Sequence, residues 1–185
     1  MKKFIFSLMM ILCIFSYAED QELALPDSTQ TIEPKIIKLE EMIIVGLQAR
    51  MSMANMTISQ LWKDFTPRED EIQNLVNPEQ FWGVSFDMEQ KENSTEFSYM
   101  VGRQVKKTDD IPDGMSFHII ESRMYAVFSH QGPVEDLGKT YQYIYQKWLP
   151  RSGHKPLMNN ELELYDERFQ YGEPDSDMFI YVPIE

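Results

Sequence analysis

The chain has 185 residues, 43% hydrophobic and 12% aromatic, enough for one domain with a real core and too apolar for a disordered chain. Its formal charge of −13 excludes the basic footprint of a nucleic-acid binder; the densest basic stretch in the body of the chain is the pair Lys106-Lys107. The first element has the layout of a secretory signal: Lys2-Lys3, an apolar run from Phe4 to Phe15 broken by Ser7, and Ser16-Tyr17-Ala18 as a cleavage site after Ala18. That run is too short for a comfortable membrane span, so no stable span is expected once the signal is removed. Met10 and Leu12 do not make a lipobox around Cys13. Because Cys13 is the sole cysteine, cleavage would leave no disulfide and no thiol chemistry. Residues 19–34 are polar and read as a tether, with the domain occupying 35–185.

Residues 36–50 are rich in β-formers and read as one long strand. Thr57 opens a helix with a capping box to Gln60, and Ile58, Leu61, Trp62 and Phe65 form one apolar face. Thr66-Pro67-Arg68-Glu69 is a second capping box that starts a helical piece running to about Val76. Residues 81–86 and 95–102 read as strands joined by the charged turn 89–94. A second pass follows. Residues 115–121 and 123–130 are extended, and 135–149 form a helix with the stripe Leu137, Tyr141, Ile144, Tyr145 and Trp148, ended by Pro150 and Gly153. Residues 161–169 and 177–183 are the last strands.

Strand, helix, strand, strand therefore occurs twice. That order argues an α+β fold with an antiparallel sheet and helices on one face. Strand alternation places Leu162 and Leu164 on one side of residues 161–169 and Glu163 and Tyr165 on the other. If the leucines pack under the helices, Glu163 and Tyr165 face the open side. Phe97, Tyr99 and Val101 share a face, as do Phe179 and Tyr181. A carboxylate among aromatic rings suits an organic cation, each ring contact contributing roughly 0.5–2 kcal/mol. The plainer reading is an exposed Glu163 beside ordinary core aromatics, with Trp62 and Trp148 as core residues. His118, His130 and His154 lack metal-ligand spacing, and no phosphate-cradling loop or nucleophile elbow occurs, so no metal or cofactor is expected. Asn55-Met56-Thr57 and Asn93-Ser94-Thr95 match the short N-glycosylation pattern.

Tyr125-Ala126-Val127-Phe128-Ser129-His130-Gln131-Gly132-Pro133, Thr140-Tyr141-Gln142-Tyr143-Ile144-Tyr145, Trp148-Leu149-Pro150-Arg151-Ser152-Gly153 and Leu162-Glu163-Leu164-Tyr165-Asp166 together resemble the gyrase-inhibitor-like (GyrI-like) family, also called AraC-type effector-binding domains. Gly46-Leu47, Leu61-Trp62, Tyr99-Met100-Val101-Gly102 and Tyr181-Val182-Pro183-Ile184 extend the resemblance over residues 35–185. It implies two βαββ repeats related by a pseudo-two-fold axis, with a ligand groove between them. It also implies hydrophobic, often cationic ligands met by aromatic residues and by a glutamate that matches Glu163. The expected ligand-binding set is Glu163, Tyr99, Tyr165, Trp62, Tyr145, Phe97 and Tyr181. No helix-turn-helix segment is read ahead of the domain. The expected protein is therefore an exported small-molecule binder, periplasmic or extracellular, without DNA-binding activity. The alternative is a hydrolase using Glu163 as general acid or base.

Overall fold

The computed structural model describes residues 33–91 and 94–185. The expected signal at 1–18, most of the tether at 19–34, and Asn93 lie outside the described residues. Eight strands form one sheet: β1 (Lys35–Leu39), β2 (Met42–Ser52), β3 (Phe81–Gln90), β4 (Thr95–Val105), β5 (Ser116–Ile120), β6 (Arg123–Gln131), β7 (Glu161–Tyr165) and β8 (Asp177–Pro183). Their order across the sheet is β1-β6-β8-β7-β3-β4-β2-β5, and every adjacent pair is antiparallel.

That order contains the two repeats and one exchange between them. β6-β8-β7 and β3-β4-β2 are the two halves, meeting at β7–β3. The first strand of each repeat crosses to the outer edge of the other half: β1 pairs with β6, and β5 pairs with β2. The single strand expected over 36–50 is thus two strands in opposite halves, divided at the exposed pair Glu40-Glu41. An exposed Glu121-Ser122 divides β5 from β6 in the same way. Three residues carry the chain at most about 11 Å, whereas six strand spacings on a flat sheet measure about 29 Å. The sheet must therefore curl until its two edges approach at this corner. Gly46 and Gly102 face each other where β2 and β4 run closest: a Cβ on Gly46 would sit 1.9 Å from the Val101 carbonyl oxygen, and one on Gly102 2.3 Å from that of Val45. Any larger residue at either position would push the strands apart.

Alternation along these strands gives two apolar faces. One buries Ile44, Trp82, Val84, Met100, Tyr125 and Leu162 inside the curl. The other carries the helices. Leu61 and Phe65 of α1 (Ile58–Phe65) pack on Val45, Phe97, Tyr99 and Val101. On the second half, Ile144, Tyr145 and Leu149 pack on Ala126, Phe128, Ile180 and Val182. The gap between these two helical clusters lies over β3 and β7.

Several local expectations change in the structure. Thr57 precedes α1 without a side-chain cap, because its backbone (φ −111°, ψ 31°) is not the extended one that aims a hydroxyl at the first turn. The second helical piece is a 3-10 turn, Thr66–Glu71, that stops short of Val76; the Thr66 hydroxyl donates back to the Trp62 carbonyl at 2.8 Å instead of capping forward. β3 and β4 run on to Gln90 and Val105 across a bulge between Phe86 and Glu89, where Asp87 takes φ 49°. β7 stops at Tyr165 instead of reaching Phe169. Pro150 does not end the second helix. α2 (Leu137–Tyr143) passes through a π-helical turn, Ile144–Trp148, into α3 (Leu149–Ser152), and Gly153 at φ 74° stops it. Proline has no N–H to donate and its ring strikes the preceding turn of a regular helix; the wider π turn, closed by Leu149 N–H on the Ile144 carbonyl, relieves both.

Candidate functional site

β7 sets the floor of the gap between the helices. Leu162 and Leu164 turn inward beside Val84 and Trp82, their partners on β3. The leucines therefore do not pack under the helices. The expectation is inverted: Glu161, Glu163 and Tyr165 occupy the helix-bearing face, between the two helical clusters. The inside of the curl already supplies an apolar bed for the leucines, so the carboxylates take the other side.

Three phenols converge on Glu163. Tyr99 of β4 and Tyr165 of β7 donate to Oε2 at 2.8 and 2.9 Å, and Tyr141 of α2 donates to Oε1 at 3.0 Å. Tyr99 belongs to the first repeat and Tyr141 to the second, so the carboxylate ties the two halves together across the groove. One turn beyond Tyr141, the Tyr145 hydroxyl donates to Glu161. Trp62 of α1 meets Tyr165 edge-on, with ring centroids 4.8 Å apart, and Phe169 meets the same ring at 4.8 Å. Among the described residues, neither Glu161 nor Glu163 has a lysine, arginine or histidine within ion-pair distance.

Burial, reinforced by the Glu163 charge, pushes the phenols of Tyr99, Tyr141 and Tyr165 well above their ordinary range, so they remain donors. Burial also pushes the Glu161 carboxyl up to about 7; the Tyr145 bond opposes that rise and the Glu163 charge adds to it.

The expected residues divide in the structure. Glu163, Tyr99, Tyr165, Trp62 and Tyr145 lie around the groove. Phe97 shares the face but is buried with Leu61 and Phe65 beneath α1. Tyr181 falls on the opposite face, against Trp82 and Tyr125 at centroid distances of 5.5 and 6.1 Å. Its register partner Leu162 points away from the groove, and an antiparallel pair shares a face. Tyr141, Glu161 and Gly83 were missed. Tyr141 was legible as part of a helical stripe, and Glu161 two residues before Glu163 was legible by alternation. Gly83 sits in mid-strand, a position that commonly marks close approach. It lies opposite Glu163, and a Cβ there would stand 2.2 Å from the Tyr99 hydroxyl and 2.9 Å from Glu163 Oε2. Gly83→Ala is expected to break the Tyr99–Glu163 bond and cost roughly 1–3 kcal/mol in chemical denaturation, as overpacking does.

Nothing else described competes as a site. No group of three or more His, Asp or Glu among the described residues could hold a metal. His130 is buried between the Thr140 hydroxyl and the Pro133 carbonyl, and His118 binds Asn160 Oδ1 at 2.7 Å while stacking on Phe86. No described helix is long and apolar enough to cross a membrane.

An eight-stranded antiparallel sheet with a two-helix groove and a tyrosine-bound glutamate defines a small-molecule-binding domain of the effector-binding class. The sequence model of the GyrI-like small molecule binding domain matches residues 32–185, and the chain belongs to that family. A curated relative, the transcriptional regulator BrlR of Pseudomonas aeruginosa, is 31% identical over 156 residues, covering 84% of this chain. The chain spans 56% of that regulator's length. Among solved structures, SAV2435 bound to tetraphenylphosphonium superposes with a TM-score of 0.67 at 16% identity, covering 83% of this chain and 94% of that one. The EcmrR C-terminal domain superposes at 0.61 and 18%, covering 84% and 99%. An integron cassette protein of Vibrio cholerae superposes at 0.60 and 14%, covering 84% and 100%. At these identities the structural likeness establishes the fold.

Proposed function

We propose that the groove captures a lipophilic cation, with Glu163 as its counter-charge and Tyr99, Tyr141, Tyr165 and Trp62 as its aromatic walls. The observation that carries this reading is a half-buried carboxylate, bonded by three phenols, with no cationic side chain beside it among the described residues. Withdrawing a carboxylate from water costs several kcal/mol. Three O–H donors offset part of that cost, and a bound cation would offset the rest. At 4 Å and an effective dielectric near 20, such a pair gains about 4 kcal/mol before desolvation. Because the phenols occupy most of the acceptor sites on Glu163, a cation without N–H groups loses little there. The phosphonium bound by the structural neighbour SAV2435 is of that kind. Calorimetry with tetraphenylphosphonium and its neutral carbon analogue tests the idea. The phosphonium is expected to bind and the neutral compound to bind at least about tenfold more weakly; equal affinities would refute the counter-charge.

We further propose that the protein works outside the cytoplasm and away from DNA. Its support is the Lys2-Lys3, Phe4–Phe15, Ser16-Tyr17-Ala18 pattern and the −13 charge. Intact-mass measurement on protein from a fractionated cell is expected to show a chain beginning at Glu19, and an unprocessed cytoplasmic chain would overturn it.

A further inference from the structure

We propose that Glu161 and Tyr145 form a second anchor, so that the groove is built for a two-ended cation: one end at Glu163 and an N–H-bearing end at Glu161. The inference rests on the cation reading above and names the shape and chemistry of the ligand.

Three observations carry it. First, Glu161 and Glu163 are two residues apart on one face of β7, which separates their attachment points by about 7 Å. Second, β3 is small opposite both carboxylates: Gly83 leaves the room that the Tyr99 hydroxyl takes up beside Glu163, and only Ser85 faces Glu161. Third, the two carboxylates differ in how far they are satisfied. A carboxylate offers about four acceptor sites. Glu163 takes three phenolic hydrogens, while Glu161 takes one from Tyr145, with the Tyr141 hydroxyl, whose hydrogen points at Glu163, also close enough to hold its carboxyl down. Glu161 therefore has open lone pairs for a donor-rich end such as a primary ammonium or an amidinium. Glu163 suits a charge held by proximity. Tyr141 stands between them, bonded to Glu163 and influenced by the charges of both. Like charges this close repel, and two positive ends would remove that repulsion together.

The test compares para-xylylenediamine, an aromatic dication with ammonium groups at about this spacing, with benzylamine, which has one ammonium. Titration calorimetry is run at pH 8 on wild type, Glu161→Gln and Glu161→Asp, with melting curves to confirm folding and tetraphenylphosphonium as a parallel probe on wild type. The diamine is expected to bind wild type about tenfold tighter than benzylamine or better, and Glu161→Gln to shrink that ratio to about twofold. Glu161→Asp, which keeps the charge on a shorter arm, is expected to lie between. If wild type binds tetraphenylphosphonium but shows no preference for the diamine, or if the preference survives Glu161→Gln, the second anchor is wrong and the cation reading stands. If wild type binds none of the three compounds, both fall.

Discussion

Glu163→Gln is expected to weaken tetraphenylphosphonium binding about 10- to 100-fold, a loss of about 1.4–2.8 kcal/mol. The amide matches the carboxylate in size and still accepts from two phenols, so the groove keeps its shape while losing its charge. The variant is expected to stay folded, so that its affinity can be read without loss of structure. One phenol must turn its oxygen toward the new NH2 group, and Tyr141, alone on Oε1, is placed to do so. Calorimetric affinity and urea denaturation on the same preparation separate lost charge from lost structure. Unchanged affinity in a folded variant would mean that the aromatic walls, not the charge, hold the ligand.

The second large effect concerns stability and pH. Glu161 titrates near 7 in the folded chain against an ordinary value of 4.5. The folded state therefore binds this proton more tightly than the unfolded one. Its contribution is most favourable below pH 4.5, declines as pH rises from 4.5 to 7, and is level above 7. A difference of this size corresponds to about 3 kcal/mol. Other ion pairs run the other way: Arg68 holds Glu71 below its ordinary range, Lys91 does so for Glu96 and Arg168 for Asp166. Those pairs weaken as pH falls, so the whole-protein profile mixes both signs. Comparing wild type with Glu161→Gln isolates the one group. The variant is expected to be more stable by up to about 3 kcal/mol at pH 8 and nearly equal to wild type at pH 4.5. Denaturant midpoints at the two pH values measure this, and a difference that does not change with pH would remove Glu161 as its source.

Both predictions turn on side chains of one five-residue strand, and only part of their setting was legible beforehand. The repeat of strand, helix, strand, strand, the helical stripes through Leu61 and Phe65 and through Tyr141 and Tyr145, and the shared side of Glu163 and Tyr165 all follow from periodicity. Periodicity is local: each side chain's direction relative to its neighbours follows from backbone geometry alone. It does not say which side of one strand matches which side of another. That depends on register, and here both sheet faces are apolar, so hydrophobicity did not choose between them. Alternation alone therefore leaves open whether Leu162 and Leu164 lie under the helices or inside the curl, and whether Tyr181 shares the face of Glu163. The exchange of β1 and β5 was equally out of reach, since residues 36–50 look uniformly extended and only the curl of the sheet shows why the chain breaks at Glu40-Glu41. By itself the sequence determined most of the elements, their repeat, and the side of the strand that Glu163 shares with Tyr165. The tertiary structure decided which face the helices cover, and so which tyrosines reach Glu163 and that Gly83 must leave room for them.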